Sequence, residues 1–507
     1  MPPRAPIRRA LCALLLAAPA APAAGQDERA DVVHLLQRAT YGARPEDVAA
    51  AIASGRAAWL EGQLHPVTID DSGFRARLEP LAAATLPLDA LFSAYPTPRA
   101  KRERAGAADS LARRRLRDEM RAAGEASPRR IGAELAAARL QRAVYSERQL
   151  ESVMTDFWFN RFNVFWGKGL DRWLVPDYER EAIRPHVFGR FEDLLSATAR
   201  HPAMLVYLDN ARNSTPDVNE NYARELLELH TLGIDGGYGQ ADVEAAARAL
   251  TGWSIAFRGE VPEFRFRPAL HDAQEKRFLG HTLPAGRGIE DGEDVLAILA
   301  RHPATARHVA HDLAQAFVSD DPPRGLVDRL AQVFLDTDGD LREVTRALFT
   351  APEFFAAEAR NAKVKSPFEL VASALRLTAA EAAAFNGTFQ YLRAAGELPY
   401  GARDPIGYPE TAEAWIDGGA MLERMNLALA LGAGKTRGVE IDVSALVDEA
   451  RDDGYFHALA ERLLPGGGAA RVVAVVSADV AGGASAPTAS AERALGLILG
   501  SPEFQRR

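Results

Sequence analysis

From residue 28 onward, apolar side chains recur at three- and four-residue spacing through almost the whole chain, against a background rich in Ala, Leu, Glu and Arg. That period builds helices with one buried stripe. The chain is therefore expected to be mainly all-α, a multi-helix single large domain over 26–507, with a possible subdivision near the basic helical segment 95–145. Helices are predicted at Asp31–Arg38, Glu46–Glu61, Asp109–Arg121, Ile131–Arg142, Ser146–Phe159 and Phe191–Thr198. Further ones are predicted at Asn219–Leu232, Asp242–Thr251, Asp291–Ala300, Ala304–Phe317 and Arg324–Leu335.

Strand signals are scarce. Trp253–Phe257 and Glu263–Arg267 alternate well enough for a short hairpin turning through 258–262. Arg471–Val476 reads equally as a strand or a buried helix, and Ala481–Ser490 as a surface loop. Leu348-Phe-Thr-Ala-Pro-Glu-Phe354 and Leu499-Gly-Ser-Pro-Glu-Phe504 echo each other as a helix end followed by a Pro-started turn.

The chain starts with Arg4, Arg8 and Arg9, an apolar run Ala10–Ala18, and small residues to Gly25. Those are the parts of a secretory signal peptide over 1–25, with cleavage expected near Ala23. The run is shorter than the roughly 20 residues a membrane span needs, so no transmembrane anchor is expected after cleavage. A periplasmic or secreted protein follows, by the Sec route or, from Arg8-Arg9, the twin-arginine route. Cys12 is the single cysteine and would leave with the signal, which excludes Cys-based zinc sites, iron–sulfur clusters and disulfides. With 60 Lys+Arg against 69 Asp+Glu the net charge is −9. An acidic balance argues against nucleic acid as a partner.

Polar side chains concentrate in three places. In Asp156-Phe-Trp-Phe-Asn-Arg-Phe-Asn163, Asn160 and Asn163 stand three apart and would share a helix face, either as bracing or as the polar floor of a pocket. In Asn219–His230, Asn221, Arg224, Glu225 and Glu228 fall within one arc of a helical wheel. His230 lies with the leucines, as a core histidine would. Two carboxylates one turn apart can bind a hard cation, pair with arginine, or divide acid and base roles. The third place is His271-Asp272 beside Lys276, a turn able to ligate or transfer protons. His302, His308, His311 and Asp312 add a cluster at helical spacing without a standard metal signature. Asp336-Thr-Asp-Gly-Asp340 resembles half a calcium loop, but its glycine is misplaced; Asp340 with Glu343 reads better as a helix cap. No nucleophile elbow, Walker loop, dinucleotide fingerprint or His-Glu-x-x-His is present.

The run Asn219-Glu-Asn-Tyr-Ala-Arg-Glu-Leu-Leu-Glu-Leu-His-Thr-Leu-Gly233, with Leu250-Thr-Gly-Trp253, resembles the signature of the bacterial domain-of-unknown-function family numbered 1800. So do His201-Pro-Ala-Met-Leu205, Tyr207-Leu-Asp-Asn210, His271-Asp272 and His302-Pro-Ala-Thr-Ala306. Phe317-Val-Ser-Asp320, Lys365-Ser-Pro367, Gly407-Tyr-Pro409 with Trp415, and Ser501-Pro-Glu-Phe504 complete a likeness from about His34 to Phe504. The resemblance implies an exported bacterial protein, whose partner would be a sulfatase-like protein encoded nearby. Where the family usually has a His after its Phe-Trp-x-Asn run, this chain has Arg161, which cannot ligate a cation. His308 and His311 fall outside the family pattern, so they read as surface residues.

Two functions are expected from this. One is an exported enzyme, a hydrolase or group transferase, acting on an envelope or extracellular polymer. Glu225, Glu228, His271 and Asp272 would be catalytic, and Asn160, Asn163, Asn221, Arg224, Asp209, Asn210 and Lys276 substrate-binding, with a divalent cation as an optional cofactor. The other is a non-catalytic envelope assembly or export partner of the sulfatase-like protein.

Overall fold

The computed structural model of the chain describes residues 24–100, 128–382, 384–447, 453–481 and 487–507. Residues 1–23 of the expected signal peptide, with Cys12, the expected Asp109–Arg121 helix and residues 482–486 of the expected Ala481–Ser490 loop lie outside these residues; the last four residues of that loop instead open a helix, Pro487–Gly500.

The helical period is realised almost throughout, and the described residues hold just three small two-stranded antiparallel sheets. β1 (Trp253–Arg258) and β2 (Val261–Phe266) form the expected hairpin, with Trp253 opposite Phe266. Its turn is tighter than predicted, Gly259-Glu260 alone, because Gly259 takes φ +67. A second hairpin, β3 (Lys276–Phe278) with β4 (His281–Leu283), is too short to leave an alternation in sequence. Arg471–Val476 belongs to a helix, Ala469–Ala481.

Two predicted helices divide. Gly55, at φ +83, splits Glu46–Glu61 into Pro45–Ser54 and Arg56–Leu64. Asn219–Leu232 is α-helical only over Asn221–Glu225 and continues as a π-helical turn over Leu226–His230. The wider turn interrupts the regular α-helical hydrogen bonding after Glu225. The Leu348 and Leu499 segments do close helices, and each Pro-started turn seats a buried phenylalanine, Phe354 and Phe504. Asp340 caps the Leu341–Thr350 helix through the amides of Arg342 and Glu343, while Asp338 pairs with Arg301.

One contiguous apolar core runs from Leu35 to Phe504. Helices Gly418–Gly432 and Pro487–Gly500 approach so closely that a Cβ at Gly432 would lie 2.5 Å from the Gly496 amide. The core also contains charge. Glu179 is buried and accepts from Arg142 at 2.9 Å, and it bonds Arg184 and the Tyr400 hydroxyl. Although burial opposes ionisation, the arginines hold its carboxyl down at about 2. No described helix is long and apolar enough to cross a membrane.

Candidate functional site

The Gln149–Arg161 helix runs through the centre of the molecule and is buried along most of its length. Val153, Asp156, Phe157, Asn160 and Arg161 recur at i, i+3, i+4, i+7 and i+8, one face of the helix. Three voids that share wall residues lie along that face.

The largest is an open cleft of about 760 Å³, lined by Asn160, Arg161, Glu228, His308, Asp312 and Glu410 among others. Phe157, Asn160, Tyr408, Pro409 and Glu410 also wall a chamber of about 80 Å³ that contains Asp156, Glu369 and Glu397. Tyr41, Val153, Glu369 and Arg507 are shared with a third void of about 270 Å³.

Asn160 controls the junction. Its Nδ2 donates to the Tyr408 carbonyl at 2.8 Å and to Glu410 Oε1 at 3.1 Å, and its Oδ1 accepts from the Tyr408 amide at 2.7 Å. Asn163 lies beyond the helix end, so the two amides do not share a helix face. Both nonetheless hold the same loop: Asn163 Nδ2 donates to the carbonyls of Ala402 and Asp404.

Asp156, Glu397 and Glu410 are perturbed. Burial raises Asp156, against the pull of Arg139 at 2.8 Å. Burial pushes Glu397 up to about 8, and burial with neighbouring Glu369 raises Glu410. A carboxyl kept protonated near neutral pH, as that of Glu397 is, can donate hydrogen bonds or protons. Lys363 bonds Asp320 and donates to the Glu410 carbonyl at 2.6 Å, fixing the loop from the other side. Asp156 stands in the segment that sequence reading singled out. Glu397 and Glu410 do not, because nothing in sequence links them to a helix some 250 residues away.

Arg161 occupies the inner wall of the cleft. Its guanidinium pairs with Asp312 and lies 3.1 Å from His308 Nδ1 and 3.4 Å from the His230 carbonyl. His308 is thus no surface residue, contrary to expectation: it is half-buried, 2.8 Å from the Thr231 carbonyl, and burial drives its pKa down to about 3. His230 is buried as predicted, against the Phe162 ring, but neither ring nitrogen has a hydrogen-bond partner among the described residues. His302 and His201 have a different task. Each precedes a Pro-Ala pair and caps its helix, Nδ1 accepting the amide two residues on at 3.1 Å.

The remaining predicted residues are dispersed. Glu228 reaches the cleft, 3.7 Å from Arg224. Glu225 is half-buried and raised by burial and by Glu228. Arg224 turns to Glu220 and Gln240, and Asn221 is exposed, donating to the Leu208 carbonyl. Asn210 is buried and bonds the carbonyls of Leu250 and Trp253, and Asp209 pairs with Lys168 at 2.9 Å. His271 and Lys276 are buried around Asp291, at 3.4 and 2.6 Å from its Oδ2, and Asp272 is engaged by Arg248 at 2.6 Å. His271 and Asp272 do not join Glu228 in lining the cleft. Among the described residues no group of three or more His, Cys, Asp or Glu side chains is placed to hold a metal ion.

No curated protein and no solved structure matches the chain. A family described as "Protein of unknown function (DUF1800)" matches residues 34–506, which takes in the polar helix, Arg161, Glu410 and every described lining residue of the three voids except Arg507, and the chain belongs to that family.

Proposed function

We propose that the chain is an exported enzyme, a hydrolase or group transferase, that works on an envelope or extracellular polymer in the cleft beside the Gln149–Arg161 helix. The observation that carries this reading is that Glu228 and Glu410 line the same open cleft, with Glu410 positioned by Asn160. The raised Glu410 carboxyl suits a general acid that protonates a leaving-group oxygen. Glu228 suits the second carboxylate, taking a proton from an attacking hydroxyl. Arg307 and His308 line the same walls and would orient substrate. A volume of this order accommodates a drug-sized ligand or a short segment of a polymer.

One observation favours the alternative, a non-catalytic assembly or export partner of a sulfatase-like protein. Ile234 and Ile406, both at this cleft, are 79% and 67% exposed, an apolar rim of the kind a protein partner covers.

The test compares Glu410→Gln, Glu228→Gln and the pair Ile234→Asp/Ile406→Asp. Purified protein is incubated with isolated envelope polysaccharide and peptidoglycan, and released fragments are read by mass spectrometry. The enzyme reading expects each Glu variant to lose about 10²-fold or more in rate at unchanged melting temperature. No fragments from the parent protein, with a cellular phenotype lost only in the isoleucine pair, would establish the alternative.

A further inference from the structure

The third void has a chemistry of its own. Its walls are largely apolar, with Val153, Leu377, Leu463, Leu464 and Phe504 all buried, and Gly466-Gly-Gly468 closes one side at the start of the Ala469–Ala481 helix. The glycines matter sterically. A Cβ at Gly466 would lie 2.7 Å from the Gln37 amide, and one at Gly468 2.6 Å from the Glu503 side chain.

Into this apolar space points Lys365, which is 92% buried, with 8% of its surface exposed. Its ammonium sits 3.9 Å from the centre of the Phe504 ring and forms no hydrogen bond or ion pair among the described residues. The other charges of the void are already engaged. Arg507 pairs with Glu369 at 2.7 Å, Arg471 with Glu503 at 2.6 Å, and the exposed Arg506 donates to the Asn361 carbonyl. Lys365 is the inner cation left without a hydrogen-bonded partner among the described residues, with Glu369 the main acidic group favouring its charge. An ammonium held this way is costly, and a site that tolerates it is ready for an anion.

We propose that this void binds a small monoanion with an apolar body, an alkyl carboxylate, whose carboxylate pairs with Lys365 while its chain lies against Leu377, Leu463 and Leu464. A single inner cation selects one negative charge, and the walls select a hydrocarbon. At about 30 Å³ for each water-sized group, 270 Å³ accommodates a chain of roughly six to nine heavy atoms. Free phosphate satisfies the charge but wets the apolar walls, and a neutral alcohol fills the walls but offers no negative charge to hold a proton on Lys365.

Burial holds the free Lys365 amine at about 7, so at pH 8 it is largely neutral. A bound carboxylate restores its proton, and binding takes up close to one proton.

The test is calorimetric titration of the full chain with hexanoate, hexanol and inorganic phosphate at pH 8, in two buffers of different ionisation enthalpy. Expected are saturable 1:1 binding of hexanoate with uptake of nearly one proton, and about tenfold or weaker binding of hexanol and phosphate. Lys365→Met should lower hexanoate affinity by about tenfold or more. If that variant does not fold, proton uptake by the parent protein decides alone. Binding without proton uptake, phosphate binding as tightly as hexanoate, or no hexanoate binding would each overturn the proposal.

Discussion

Asn160 and Tyr408, 248 positions apart in sequence, exchange two hydrogen bonds, the Asn160 amide accepting from the Tyr408 N–H at 2.7 Å and donating to its carbonyl at 2.8 Å. A side-chain amide here plays the part of a neighbouring strand, pinning a loop that has no sheet to join. Gly407 makes the approach feasible: at φ +79, a Cβ there would lie 2.4 Å from the Asn160 carbonyl oxygen. Asn160→Ala removes these two bonds and the one to Glu410, so it should cost roughly 2–3 kcal/mol at about 1 kcal/mol per bond. Urea unfolding measures this, and a loss within error of zero would show that the loop is held by Asn163 and Lys363 instead.

Acid should destabilise the fold through its buried histidines. Burial lowers His230 to about 3 and His34 to about 4, from an ordinary 6.5. Below pH 6.5 the unfolded chain protonates these rings while the folded protein does not. Stability should therefore fall as pH drops from 6.5 toward 4, by up to about 1.4 kcal/mol per pH unit for each ring, and be independent of them above 6.5. His230→Phe, which keeps an aromatic ring against Phe162, should flatten part of this slope. Melting temperatures across that range check it, and an unchanged slope in the variant would exclude His230 as a source.

Glu397 should act with the opposite sign. Its carboxyl is raised from 4.5 to about 8, so the folded protein holds a proton that the unfolded chain has lost. Stability from this group is complete below pH 4.5 and is lost as pH rises toward 8, by up to about 1.4 kcal/mol per unit. Glu397→Gln retains an oxygen for the Phe368 amide, which Glu397 accepts at 2.7 Å, and cannot ionise. The variant should melt higher than the parent at pH 8.5 and no higher at pH 4.5. A variant that is less stable at both values would mean that the carboxyl itself is needed by the cap.

The helix period predicted most of the architecture because burial of a stripe is a local property of sequence. The hairpin at Trp253 was legible for the same reason. What escaped were departures that no period records. The π-helical turn over Leu226–His230 leaves no mark in the period, although the Arg224–Glu228 pair and the buried His230 fall where a regular wheel puts them. Glu179, Arg142 and Arg184 are ordinary helical charges in sequence and become a buried cluster only through Tyr400. In the candidate site, Asp156, Asn160 and Glu228 stand in polar segments that reading singled out, whereas Glu397 and Glu410 arrive from a loop with no signal beyond Gly407-Tyr-Pro409. The His-Pro-Ala pairs were visible as motifs, but their meaning as caps depends on an Nδ1 that accepts, which only geometry reveals.

The cluster around Asp291 decides what His271, Asp272 and Lys276 are for. Asp291 is buried and takes Lys276 at 2.6 Å, Arg287 at 3.2 Å and His271 at 3.4 Å, while Lys276 also donates to the Asp272 and Gln274 carbonyls. Such a cluster fixes β3 against the Glu290–Ala300 helix. Removing Lys276 leaves the buried Asp291 carboxylate with Arg287 and His271 alone. Lys276→Met should cost about 3–5 kcal/mol, whereas Lys276→Met combined with Asp291→Leu, which removes both charges, should recover a large part of that loss. Denaturant midpoints of the single and double variants measure the difference, and a cellular phenotype measured beside them should follow stability. A Lys276→Met protein that keeps parental stability but loses the phenotype would place His271, Asp272 and Lys276 in the working site, and would shift the chemistry away from the cleft at Asn160.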